Sequence, residues 1–272
     1  MSEKKLFGHP ESLYDVPTKY CGGCGHGVVH RVISELIDQM GLQKRTVLVN
    51  PVGCSVWADL YFNFDSVQPA HGRTPAAATG VKRVLPDHLV VCYQGDGDMA
   101  AIGTAEMIHA ANRGEKFTTI FVNNAIYGMT GGQMAPTTLI GQKATTSPRG
   151  RDPDKAGMGF PIRVGELLST LEGSAYIARG SVHNPANIRK TRSYIRKAFE
   201  LQMSGIGFTM VEILSQCPTG WSLEPDQSLD WLEKNMIPIF PLGEIKTPAQ
   251  TPMANPATAR LDSGDEAKLG AA

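Results

Sequence analysis

The longest periodic stretch in the chain runs from residue 28 to residue 40. Val28, Val29, Val32, Ile33, Leu36, Ile37 and Met40 form one stripe, and Gly41 closes it, which predicts an amphipathic helix. Other apolar runs are short and continuous. Residues 45–50, 88–94, 117–122, 174–178 and 208–214 read as buried strands, the last of these as the final strand of the chain. Helices are expected over 76–84, over 99–113 with Gly114 as the stop, and over 185–204, a basic amphipathic run with Pro185 in its first turn. Residues 128–165 are rich in Gly, Thr, Pro and charge, with little periodicity. They predict a long loop over the sheet edge, and loops of that length are usually functional. Strands alternating with helices define an α/β fold, a mainly parallel sheet with helices on both faces. One such domain is expected over 1–246. The tail at 247–272 is dominated by Pro, Ala, Thr and Gly, and is expected to be disordered or to lie on a partner.

Chemistry concentrates where two of these strands end. Gly95, Asp96, Gly97 and Asp98 stand between the strand at 88–94 and the next helix, and Asn123 and Asn124 close the strand that follows. In an open parallel sheet ligands bind at that edge. A glycine turn opening a helix suits a phosphate, because free N–H groups and the helix dipole favour anions. Two carboxylates there would repel it. A hard divalent cation shared between carboxylate and diphosphate removes the conflict, and Mg²⁺ takes oxygen ligands of this kind. Asp96, the side-chain oxygen of Asn124 and the main-chain carbonyl of Ile126 are the candidate ligands. The same stretch fits the G-x-G-x-x-[GA] dinucleotide fingerprint, but its carboxylates argue against a metal-free dinucleotide. An EF-hand loop fails, since its fifth and twelfth positions would be Ala100 and Met107. Gly, Asp and Asn are also ordinary turn formers. That reading suits either half alone, not the pairing at neighbouring strand ends.

Composition narrows the class. The chain has 272 residues, 42% of them hydrophobic, and a formal net charge of zero, which fits one sizeable globular domain. Zero charge gives no support for nucleic acid or an anionic membrane surface as partner. No apolar run approaches a membrane span, and residues 1–5 lack the apolar core of a signal peptide, so a cytoplasmic location is the default expectation. Five cysteines, an odd number, argue against a disulfide framework in that setting. Cys21 and Cys24 form a Cys-x-x-Cys pair, while Cys54 and Cys217 each follow a strand. Parallel strands would bring those ends to the edge that holds Asp96, so four thiolates can converge there. Such a set suits zinc or a [4Fe–4S] cluster, and spacing alone leaves both open. Cys92 lies inside a strand and reads as a small core residue. Cys-x-x-Cys-Gly-His does not match a haem-attachment motif. His26 could donate to a cluster sulfide or a phosphate, or cap the helix it opens.

The motif pair 95–98 and 123–124 resembles the diphosphate-binding motif of thiamine-diphosphate enzymes. Taken with residues 20–26, 51–55, 71–73, 125–133 and 212–218, the chain resembles the β subunit of a 2-oxoacid:ferredoxin oxidoreductase over roughly residues 15–245. The resemblance implies a thiamine-diphosphate-binding fold with the cofactor held through Mg²⁺ on Asp96, Asn124 and Ile126. It implies cofactor contacts from Gly95, Gly97, Asp98, Gly128, Met129, Thr130, Cys54, Ser55 and His71. It moves the choice at Cys21, Cys24, Cys54 and Cys217 towards a [4Fe–4S] cluster. It places His71 and Arg73 at the thiamine site as catalytic candidates, although an arginine in a loop is usually solvated. The implied reaction is oxidative decarboxylation of a 2-oxoacid to acyl-coenzyme A and CO₂, with electrons passed to ferredoxin. An α subunit would bring the glutamate that activates thiamine, with room for γ and δ subunits. The basic run 189–197 reads chiefly as a solvated helix face, with docking of an acidic ferredoxin as the lesser reading. Some relatives carry Lys where this chain has Gly131, and Arg where it has Val56 and Trp57. Loss of those cations favours a branched-chain substrate such as 2-oxoisovalerate over 2-oxoglutarate or pyruvate. Two rivals remain: a non-redox thiamine-dependent decarboxylase, and a zinc-stabilised binding module.

Overall fold

The computed structural model describes residues 8–154 and 157–248. The continuous apolar runs become strands buried on both faces, as parallel strands covered by helices must be. These are β1 (Thr46–Val49), β3 (Leu89–Gly95), β4 (Thr118–Asn123), β5 (Ser174–Ser181) and β6 (Phe208–Leu214). Two short strands, β2 (Asp65–Val67) and β7 (Gly243–Lys246), complete a seven-stranded sheet of order β2-β1-β3-β4-β6-β5-β7. Every pairing is parallel except β7 on β5. The order reverses at β1/β3, so the loops after those two strands part and leave a crevice at the carboxyl edge.

Helices cover both faces. On one side α1 (His26–Met40) and α5 (Pro185–Met203) bury Ile33, Leu36, Ile195 and Phe199 against Tyr93, Ile120 and Val211. On the other, α2 (Thr74–Val84), α3 (Thr104–Asn112) and α4 (Val164–Ser169) cover Val90, Phe121 and Met210, with Cys92 in the core as expected. Gly41 ends α1 in the left-handed region at φ 64°, its N–H bonding back to Asp38 and Ile37. Asn184 caps α5 by accepting from Asn187 N–H, with Pro185 next. Three short helices, α6 (Pro218–Trp221), α7 (Pro225–Trp231) and α8 (Ile237–Ile239), follow β6. Residues of this region, Leu232, Met236 and Phe240, pack on Ala125, Leu139 and Leu214 over the strand ends. No helix among the described residues is long and apolar enough to cross a membrane.

Four sequence expectations change. The helix foreseen over 99–113 begins as a π turn, Asp98–Ile102, closed by Gly103 N–H on Asp98 O at 2.9 Å, and becomes α-helical only at Thr104. The strand at 208–214 is not the last, because β7 follows and adds antiparallel to β5. β2 was not foreseen, since Asp65, Ser66 and Val67 are exposed and carry no apolar pattern. The basic helix is not simply solvated: Arg192 and Arg196 both donate to Gln39 on α1, and Lys197 pairs with Glu244 on β7 at 2.7 Å. The long loop stands as expected. Between β4 and α4 no named helix or strand occurs among the described residues. Instead the buried guanidinium of Arg151 gathers the carbonyls of Pro136, Thr138, Met158 and Phe160 at 2.6–2.9 Å. The tail expectation falls, from residue 249 on, outside the described residues.

One buried ion pair sits inside the sheet. Arg179 on β5 donates through Nε to Glu212 on β6 at 2.7 Å and through Nη2 to Glu166 on α4 at 2.5 Å. The other oxygen of Glu212 accepts from the Asn123 side chain at 2.8 Å. Removing one partner leaves an uncompensated charge in the core. Glu212→Ala is expected to lower stability by about 3–5 kcal/mol, measured by urea unfolding followed by circular dichroism.

Candidate functional site

Asn123 begins the site. Its side-chain oxygen accepts from Ala125 N–H at 3.0 Å while its amide is held by Glu212. This pins a turn in which Ala125 takes φ 56°, a left-handed conformation unusual for a residue with a Cβ. The turn swings Asn124 and Ile126 over the end of β3, where Asp96 is only 4% exposed. Asp96 Oδ1 accepts from Gly97 N–H at 2.9 Å, and Oδ2 from Ile126 N–H at 3.1 Å and Thr137 Oγ1 at 3.0 Å. Beside it the side-chain oxygen of Asn124 lies 2.7 Å from the Ile126 carbonyl and 3.3 Å from Asp96 Oδ2. Three acceptor oxygens thus meet, with the Ile126 N–H, shared between Asp96 Oδ2 at 3.1 Å and Asn124 Oδ1 at 3.3 Å, as the donor among them. Turning the amide over would bring its NH₂ to both partners. A cation needs no such turn: oxygens at right angles around Mg²⁺ at roughly 2.1 Å stand about 3.0 Å apart. Burial pushes the Asp96 carboxyl up to about 7, against the hydrogen bonds it accepts.

A cavity of about 260 Å³ opens above this cluster, lined by Gly95, Asp96, Gly97, Asp98, Asn124 and Ile126 and, across the β1/β3 crevice, by Gly53, Cys54, Ser55 and His71. Ser55 Oγ is buried without a hydrogen-bond partner. Val52, Ile102 and Met129 stand half-exposed at its mouth, beside Thr130. Gly97 lies under Tyr127, whose ring leaves 2.9 Å for a Cβ. His26 lines the inner wall. It does not cap α1; its Nδ1 meets Tyr93 OH at 2.5 Å, its ring stacks on Tyr20, and burial lowers it to about 4, so it is neutral.

The thiols stand next to the oxygens. A Cβ at Gly128 would lie 3.1 Å from Cys217 Sγ, 3.8 Å from Cys54 Sγ and 4.0 Å from the Asn124 amide nitrogen, so this position touches both groups and a side chain there would press on Cys217. Burial raises Cys24 to about 11 and Cys217 to about 12, and Cys54 also moves up. The other thiolates add to each rise: Cys21 acts on Cys24 and Cys54, and Cys24 and Cys54 act on Cys217. The four therefore share one neighbourhood, with Cys21 exposed. Among the described residues no three His, Cys, Asp or Glu side chains are gathered as one metal ion would need.

Arg73 and Asp98 are both engaged by contacts within the chain. Arg73 is turned away from the cavity and pairs with Glu106 on α3. Asp98 lines the cavity, but its carboxylate holds the 71–74 turn: it accepts from Gly72 N–H at 2.5 Å, Thr74 Oγ1 at 3.2 Å and Gln94 Nε2 at 2.6 Å. Burial raises it as well. His71 Nδ1 lies 3.0 Å from Asp98 Oδ1, poorly aligned for a hydrogen bond, with the ring half-exposed in the cavity wall. Trp57 does not line the cavity; Lys19 Nζ sits 5.0 Å over its ring. Gly131 lies in a neighbouring groove with Lys143 and Trp221. Residues that sequence reading passed over are Gln94, Thr137 and Trp221, whose indole N–H donates to Asn124 O at 2.9 Å. Gln94 stood one residue from the motif. Thr137 and Trp221 reach the site only through the fold.

A family model described as thiamine pyrophosphate enzyme, C-terminal TPP binding domain, matches residues 52–213. The ketoisovalerate oxidoreductase subunit VorA of Methanothermobacter thermautotrophicus is 47% identical over 253 residues, 89% of this chain and 53% of that protein. The chain thus spans about half the length of that relative. The 2-oxoglutarate synthase subunit KorB of Archaeoglobus fulgidus is 36% identical over 220 residues, 81% of this chain and 77% of that one. Among solved structures, the 2-oxoglutarate:ferredoxin oxidoreductase from Magnetococcus marinus, with 2-oxoglutarate, coenzyme A and succinyl-CoA bound, superposes with a TM-score of 0.71. It is 29% identical and covers 82% of this chain and 72% of that one. Sheet, turn and match are those of a thiamine-pyrophosphate-binding domain. The chain belongs to the family of 2-oxoacid:ferredoxin oxidoreductase subunits, as its motifs imply.

A carboxyl raised from 3.8 to about 7 binds its proton more tightly folded than unfolded. Metal-free protein is therefore expected to lose stability as pH rises from about 4 to about 7, and to change little from this group above that. Asp96→Asn should flatten this slope in thermal melts recorded with a chelator present.

Proposed function

We propose that this chain is the β subunit of a 2-oxoacid:ferredoxin oxidoreductase that holds Mg-thiamine diphosphate on Asp96, Asn124 and Ile126 and a [4Fe–4S] cluster on Cys21, Cys24, Cys54 and Cys217. The observation that carries the reading is the juxtaposition at Gly128, with the Asn124 amide, whose oxygen meets Asp96 and the Ile126 carbonyl, on one side and two thiols on the other. The donor sets fit. Oxygen ligands with a buried carboxylate suit Mg²⁺ and a diphosphate, and four cysteines suit an iron–sulfur cluster. Cys21, Cys24 and Cys217 lie outside the matched family stretch, so the cluster rests on the resemblance and on this geometry. Buried thiols that hold their protons up to about 11 or 12 must surrender them to a metal on loading.

Thiamine diphosphate, when bound, supplies the carbon nucleophile and electron sink for decarboxylation. The chain's residues position and enclose. Asp98 fixes the 71–74 turn so that His71 faces the cavity, and Tyr93 fixes the neutral His26 ring in its wall. The carbonyl turn at 124–126 and the glycines at 95 and 97 keep bulk away from the diphosphate. Balance requires a 2-oxoacid and coenzyme A to give acyl-CoA, CO₂, one proton and two electrons, the electrons leaving singly to ferredoxin. An α subunit would close the cavity over its apolar mouth and bring the activating glutamate.

A branched-chain 2-oxoacid is the substrate this reading favours. Its support is the 47% identity to a ketoisovalerate oxidoreductase subunit, against 36% to a 2-oxoglutarate synthase subunit, and the apolar rim of Val52, Ile102 and Met129. Trp57 and Gly131 lend nothing to it from outside the cavity. The complex, purified without oxygen, should be coloured, contain iron and sulfide, and bleach faster with 2-oxoisovalerate and coenzyme A than with 2-oxoglutarate. A colourless zinc protein would sink the redox reading. Asp96→Ala should weaken thiamine diphosphate binding at least about a hundredfold, and Cys54→Ser should lower the iron content.

A further inference from the structure

Trp221 joins two segments that the proposed function assigns to different groups. It ends the short helix α6, where its N–H donates to Cys217 O at 2.9 Å. Its indole N–H donates to the main-chain oxygen of Asn124, also at 2.9 Å. The ring is held by Trp231, 4.3 Å away between centroids with planes at 43°, and both pack on the apolar cluster of Leu139, Leu214 and Phe240. Gly220 tightens the seam: a Cβ there would lie 2.8 Å from Cys217 Sγ and 3.0 Å from Ile126 Cγ2. One large side chain and one absent one thus bind the loop carrying a thiol to the turn carrying two cation-facing oxygens.

An indole N–H is a donor only, with a single direction. Fixing Asn124 O fixes the peptide plane after it, and that plane leads straight into Ala125 at its unusual φ. A shift in the Cys217 loop therefore moves Asn124 and Ile126 together. We infer that Trp221 is a positioning residue that couples the thiol site to the oxygen site, so that a cluster on the cysteines preorganises Asn124 for the cation and its diphosphate. This rests on the proposed function. The coupling is reciprocal by linkage: bound Mg-thiamine diphosphate also strengthens retention of the cluster.

The test titrates the intact complex with thiamine diphosphate and Mg²⁺ by calorimetry, before and after iron is removed by chelation. In the wild type, iron removal should weaken binding about tenfold. In Trp221→Phe, iron content should stay at the wild-type level, binding to the clustered form should already be about tenfold weaker, and iron removal should make no further difference. Replacing Trp221 by benzothienylalanine keeps the ring shape and its packing on Trp231 but has no donor, and should behave as Trp221→Phe. Equal dependence on iron in the wild type and both variants overturns the coupling and leaves the proposed function standing. A complex without iron, or without affinity for thiamine diphosphate, overturns both.

Discussion

The carboxylate of Glu212 is shared inside the sheet between the guanidinium of Arg179 and the amide of Asn123, and the site depends on that sharing. A charge with no water around it is tolerated only when its hydrogen bonds are complete. Here completion extends outward. Glu212 orients Asn123, Asn123 holds Ala125 in a left-handed turn, and the turn presents Asn124 and Ile126 to Asp96. Thr138 and Gln142 of the long loop then close on the Ala125 carbonyl at 2.7 and 3.0 Å. Geometry around Asp96, Asn124 and Ile126 is thus set by an ion pair that never touches them.

The two donor sets place different demands on the fold. The oxygens are already close together, and in the proposed function a cation would relieve their mutual repulsion. Burial keeps the Cys24 and Cys217 thiols protonated, and under the proposed function they would become ligands by losing those protons. Separate backbone segments bring them: the loop ahead of α1, the turns after β1 and β6, and the glycine at 128 that lets two of them meet the oxygen side. A parallel sheet makes this possible, because each strand delivers its following loop to one edge.

Much of this was legible in the residues. The apolar stripe and Gly41 marked α1, and runs such as 88–94 and 117–122 marked strands, because burial on both faces favours runs of apolar and β-branched residues over alternation. The acidic glycine turn and the Asn pair were legible because strand ends in a parallel sheet are where such residues converge. Other features had no local trace. β2 is three exposed residues held only by pairing with β1, and β7 is placed by its partner β5. The π turn depends on Gly72 and Gly103 abutting, a Cβ on Gly72 having 2.9 Å to Gly103 N. Arg73 was placed at the thiamine site by the resemblance alone, and in the structure Glu106, in the first turn of α3, pairs with it. Thr137 lies 41 residues along the chain from the carboxylate it serves.

The π turn at Asp98–Ile102 carries one residue more than a regular helical turn would. That surplus makes the segment sensitive to length in a way that substitutions are not. Each residue advances a helix by roughly 100°. Losing one here would let the turn relax to a regular helix while rotating α3 by that angle, carrying Met107, Ala110 and Ala111 off the sheet face they now cover. Between the acidic turn and α3 the chain can drift in composition, but its residue count is locked by the phase of the helix that follows.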